Sequence, residues 1–172
     1  MMAPEREPRE PMSPRFVTVP RHSLLEPYYQ RGGEVHCDCY LTDVAGRVSL
    51  GAFVTAFMTT RLFRAERLVL RLAGRPSSDD EVRGLATGEA ERFAAWTVEA
   101  RTETELLLAD ATGRTRSYYA VRPGGAGTEL LFGSAVLPRG DSGLGLTFRM
   151  LMPFHQIYAP ALLKAAARNL PR

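Results

Sequence analysis

The stretch from Phe93 to Leu137 constrains this chain more than any other. Four strand-like runs follow one another there: Phe93–Glu99, Glu105–Asp110, Arg116–Arg122 and Thr128–Leu137. Between them lie only Arg101–Thr104, the Thr112-Gly113 step and Pro123-Gly124-Gly125. Separators this short, built from turn residues, join neighbouring antiparallel strands. Leu106 and Leu108 fall on one face of their run, and Tyr119 and Val121 share a face of the next.

The flanks differ. Met1–Pro20 carries prolines at 4, 8, 11, 14 and 20 with Glu and Arg between them. Prolines remove backbone donors, so residues 1–20 read as a disordered Pro-rich tail, with Phe16 and Val17 docking locally. The folded part is expected to begin near Leu24, as one domain over 21–172. Glu34–Val44 reads as a strand with Val35, Cys37, Cys39 and Leu41 on one face and His36, Asp38 and Tyr40 on the other. Ser49 caps a helix running to about Leu72, or two shorter helices, with Leu50, Phe53, Val54, Phe57, Met58 and Leu62 on its apolar face. Gly74, Pro76 and Ser77–Asp80 open a polar loop. From about Leu146 an apolar stripe returns through Met150, Phe154, Ile157, Tyr158, Ala161, Leu162 and Ala165. Pro153 and Pro160 predict a kink or restart in that helix, which ends at Asn169 and Pro171.

Composition bounds the class. With 172 residues, 45% hydrophobic and 24% charged, the chain builds one ordinary core. The formal charge is only +3, and the cations are arginines apart from Lys164. With abundant Ala, Gly and Pro, this reads as the bias of a GC-rich genome, and nucleic acid is not an expected partner. No apolar run reaches the roughly 20 residues of a membrane span, and the N-terminus lacks a signal-like stretch. The expected setting is bacterial and cytoplasmic. Cys37 and Cys39 would sit about 6.6 Å apart on one strand face, a poor geometry for a bridge. They read as small buried hydrophobes rather than zinc ligands, since His36 faces the other side.

The order of strand, helices, hairpin strands and terminal helix gives an α+β fold. A curved antiparallel sheet wrapped around a long C-terminal helix is the helix-grip, or START-like, architecture, in which the gap between sheet and helix often holds a ligand. Asp38-Cys39-Tyr40, Ala52-Phe53 and Phe57 leading into Leu68–Arg71, and Pro153-Phe154-His155 with Pro160 and Leu162-Leu163 together resemble a bacterial family, the domain of unknown function 2867, a START-like group. The resemblance spans roughly residues 35–168. It implies the fold and no transferable catalytic residues. Some members of the family are fused behind an NAD(P)-binding domain.

The expected function is a binding module for a small lipophilic or aromatic ligand, with Trp96, Tyr119, Arg149, His155 and Tyr158 as contacts. Tyr118 and Phe132 are further aromatic candidates for the pocket wall. One alternative is a cyclase-, hydratase- or isomerase-like enzyme using His155 as acid or base, with Asp38 or a tyrosine in support. Another is an accessory interaction domain. The bland readings are a structural histidine beside Pro153, a chance His36–Asp38 pairing on a strand face, and a solvated arginine stripe at Arg61, Arg64, Arg67 and Arg71. No phosphate-binding loop, nucleophile elbow or zinc motif occurs, and neither cofactor nor metal is expected.

Overall fold

The computed structural model describes residues 13–31, 35–72, 74–125, 127–138 and 145–171, with backbone alone over 145–155. In chain order these form β1 (Arg15–Phe16), α1 (Glu26–Tyr29), β2 (His36–Ala45), α2 (Leu50–Met58), α3 (Arg61–Leu72), α4 (Asp79–Thr87), β3 (Arg92–Phe93), β4 (Trp96–Arg101), β5 (Glu105–Asp110), β6 (Thr115–Gly124), β7 (Gly127–Val136) and α5 (Gly145–Arg168). The strands make one antiparallel sheet in the order β1-β2-β7-β6-β5-β4-β3. The hairpin run therefore folds as its spacing predicts. The outlier is β2, which pairs with the last long strand, aligning Asp38 with Ser134 and Tyr40 with Phe132. None of the described helices is long and apolar enough to cross a membrane.

Alternation along the strands splits the core in two. One face carries Tyr40, Val44, Leu106, Leu108, Tyr119, Val121, Leu130 and Phe132, packed with residues of α2, α3, α4 and α5. The other carries Cys39, Leu41, Leu107, Tyr118, Ala120, Leu131 and Ala135. The second face is covered by the N-terminal segment, α1 included, through Val19, Leu25 and Tyr28. β1 pairs with Tyr40 and Leu41, and the Val17 N–H extends the ladder by donating to the Cys39 carbonyl at 2.9 Å. The docking of Phe16 and Val17 thus holds. The folded part starts well before Leu24, however, and residues 13–20 do not belong to a disordered tail, because the sheet's rear apolar face needs a cover. Residues 1–12 lie outside the described residues.

Helix boundaries follow local chemistry. The Ser49 hydroxyl accepts from Ala52 N–H at 3.2 Å. At the break between α2 and α3, the Thr60 hydroxyl donates to the Phe57 carbonyl at 2.9 Å and accepts from Phe63 N–H at 3.2 Å. A side chain competing for backbone partners ends one helix and starts the next. The expected polar loop is cut short at Asp79. Ser78 and Glu81 form a reciprocal capping box, and α4 buries Val82, Leu85 and Ala86 before Gly88 closes it in the left-handed region at φ 85°. The expected first hairpin strand is divided, with Ala94 at φ 49° turning β3 back on β4. Pro153 and Pro160 leave α5 one continuous helix rather than two. It packs on α2, α3, β2 and β7.

Candidate functional site

The helix-covered face of the sheet is dominated by aromatic rings from α2, α3, β3, β4, β6 and β7. Phe57 of α2 lies 4.6 Å from Phe132 and 5.0 Å from Tyr119, centroid to centroid. It meets Phe63 of α3 at 5.8 Å, and Phe63 meets Trp96 of β4 at 5.6 Å. Trp96 stacks on Phe93 at 6.1 Å. Phe57, Phe63 and Tyr119 are buried, while Trp96 is only half-buried. Alternation explains why Tyr118, the immediate neighbour of Tyr119, cannot share this wall: its side chain enters the rear core and its hydroxyl donates to Glu105 at 3.1 Å.

Among the described residues, polar groups approach this face of the sheet from both the helices and the strands. On the helix side, Tyr158 of α5 donates to the Glu66 carboxylate of α3 at 2.9 Å. Burial raises the Glu66 pKa above the usual carboxyl range, against the opposing effect of the Tyr158 hydrogen bond. Burial also pushes the Tyr119 and Tyr158 phenols up, with the Glu66 charge adding to both, so they stay protonated donors at neutral pH. Tyr119, Tyr158 and Glu66 thus influence one another from β6, α5 and α3.

On the sheet, Asp38 of β2 is 3% exposed, and its Oδ1 accepts from Ser134 N–H at 3.1 Å and Ser134 Oγ at 2.8 Å. His36 Nε2 stands 3.9 Å from the other carboxylate oxygen. The two residues share a face as the alternation requires, and Asp38 acts as a tie between paired strands. Replacing Asp38 with alanine is expected to lower stability by about 1–3 kcal/mol, because two buried donors of Ser134 lose their acceptor. A urea midpoint unchanged from the parent would show that water replaces the carboxylate.

Of the expected contacts, Tyr119 and Tyr158 come together around Glu66, and Trp96 joins them through Phe63. Arg149 and His155 lie in α5, but their side chains fall outside the described ones. The arginine stripe is partly tied down rather than merely solvated. Arg64 and Arg67 pair with Asp79 at 2.9 and 2.7 Å, and the Arg67 guanidinium lies 5.6 Å from the Phe93 ring centroid. Burial pushes the Cys37 thiol up to about 11 and the Cys39 thiol up to about 12, which keeps both as neutral thiols packed among apolar side chains.

Glu66 escaped the sequence reading. Its signal was present: it is the one acidic residue in Arg61–Leu72, one helical turn beyond Phe63. Among the described residues, recesses of about 650 Å³ and about 410 Å³ flank α2. The larger opens beside Arg47, Leu50, Val121 and Arg122, and Trp96, Tyr119 and Tyr158 line neither. No family model matches the chain, and no curated protein or solved structure matches it.

Proposed function

We propose that this protein is a helix-grip, START-like binding module that holds a small, largely apolar ligand between the sheet and its C-terminal helix. The carrying observation is the aromatic surface of Phe57, Phe63, Tyr119 and Phe132, which reaches half-buried Trp96 and includes the polar pair Glu66–Tyr158. Aromatic walls with a few placed polar groups suit small-ligand recognition. The helix-grip assignment draws support from the strand order, the helices between β2 and β3, and the packing of α5 on β2 and β7. The likeness to the domain of unknown function 2867 points the same way.

Native mass spectrometry of freshly purified protein, set against its denatured mass, is the direct test. The expected result is a discrete extra mass that disappears on denaturation. A bare chain that also fails to bind apolar probes would remove this reading.

The interaction-domain reading retains one specific observation. α3 exposes Leu68, Val69 and Leu72, the last at 82%. Neighbouring exposed apolar side chains on one helix suit a protein contact. Serine at Val69 and Leu72 would then abolish a concentration-dependent association seen by sedimentation. A parent chain that stays monomeric at all concentrations would count against it.

A further inference from the structure

Resting on the ligand-binding reading above and extending it, we propose that the site selects an apolar ligand carrying a protonated amine, held by the Glu66 carboxylate and the aromatic rings beside it. The first support is charge without a partner of opposite sign. Among the described residues, no arginine or lysine forms an ion pair with Glu66. The two nearest arginines in the sequence, Arg64 and Arg67, both turn to Asp79. A carboxylate drawn partly out of water favours either a proton or a cation nearby. Burial already raises the Glu66 pKa, and an ammonium group would supply the missing charge instead.

The second support is acceptor capacity. An ionised carboxylate offers about four lone-pair sites. Tyr158 occupies one of them, so the group can still receive the N–H donors of an ammonium. An anionic ligand would meet repulsion there, and a neutral alcohol would bring a single donor.

The third support is the surroundings. Tyr158 hydrogen-bonds the Glu66 carboxylate, and Phe63 lies one helical turn before it in α3. Ring faces attract cations, more strongly as water is excluded. The same aromatic group already receives one cation, the Arg67 guanidinium, 5.6 Å from the Phe93 ring centroid. The carboxylate and its neighbouring rings together favour a positive head, and half-buried Trp96, 5.6 Å from Phe63, favours an apolar body.

Three ligands of matched chain length separate the possibilities: decylamine, 1-decanol and decanoate. Each is titrated into the full chain, with calorimetry and the fluorescence of Trp96, the single tryptophan, as readouts. Decylamine is expected to bind about tenfold more tightly than 1-decanol, with decanoate weakest. Glu66→Gln should erase that preference by bringing decylamine affinity down to that of 1-decanol. Tyr158→Phe, which keeps the carboxylate, should keep the preference. Glu66→Asp, also charged, serves if the glutamine variant fails to fold by its urea midpoint, and it should retain a reduced preference. If wild type binds the alcohol or decanoate as tightly as the amine, or if Glu66→Gln still prefers the amine, the amine inference is overturned and the binding-module reading survives. If wild type binds none of the three, both fall.

Discussion

Phe57→Ala is expected to lower the unfolding free energy by about 3–5 kcal/mol, the usual range for emptying a buried aromatic position. Phe57 sits near the C-terminal end of α2, fully buried, with ring contacts to Phe53, Phe63, Tyr119 and Phe132. Those partners belong to α2, α3, β6 and β7, so no single element can move in to fill the void. The loss is a large part of the roughly 5–15 kcal/mol margin of an ordinary domain. The check is a urea titration in which the midpoint falls and the slope stays constant, meaning that the folded and unfolded states keep their compactness. Phe57→Leu, which leaves a smaller hole, should fall between the two. A loss below about 1 kcal/mol for alanine would mean that the ring already borders space able to collapse or take up water, since the penalty grows with the residual cavity.

The fold was legible wherever a local rule and the tertiary demand agreed. The hairpin run from β4 to β7 has turn chemistry at the places where the sheet needs to reverse, so spacing alone set the neighbours. Pairing of β2 with β7 is different. It closes across most of the chain and rests on the match of Asp38 with Ser134 and Tyr40 with Phe132, which no local pattern announces. α4 was readable and was missed. Ser78-Asp79-Asp80-Glu81 is a capping signature, followed by Val82, Leu85 and Ala86 at helical spacing, but the preceding Gly, Pro and Ser residues masked it as a loop. The N-terminal cover could not be read from its prolines. Its order comes from the apolar side chains of the sheet's rear face, a tertiary cause outside the segment itself.

The site divides in the same way. Trp96, Tyr119 and Phe132 could be named as aromatics of a pleated surface, but Tyr118, named with them, packs on the rear face, where strand alternation puts the neighbour of Tyr119. Glu66 was obscured by its own helix, where four arginines drew attention to charge of the other sign. Only the approach of α5, which brings Tyr158 within 2.9 Å, reveals it as an inward-facing acid. Asp38 was visible as a neighbour of His36, yet its partnership with Ser134 depends on the long-range register of β2 and β7.

Leu25→Ala should weaken the rear cover by about 2–5 kcal/mol, the range for removing a buried leucine side chain. Leu25 has no exposed surface. It sits so close over Gly133 that a Cβ there would come within 2.8 Å of its Cδ2 and 3.4 Å of the Cys39 sulfur. Polar ties hold the segment on either side: the Leu24 N–H donates to Glu105 at 2.8 Å, and Arg116 donates to the Tyr28 hydroxyl at 3.1 Å while pairing with Glu99 at 2.8 Å. Cys39 lies beneath this cover with no exposed surface and its thiol pushed up to about 12. It can therefore be labelled only when the cover opens, and its labelling rate in a Cys37→Ser background reports that opening. A loss of 2 kcal/mol corresponds to about 30-fold faster labelling. If the segment opens separately from the sheet, labelling accelerates while the global urea midpoint hardly moves. If both change together, the cover and sheet unfold as one unit. The second result is the expected one, because opening the segment exposes Leu131, Tyr118 and Leu107, the same apolar surface whose burial stabilises the sheet. Unchanged labelling in the alanine variant would show that Leu25 does not guard this face.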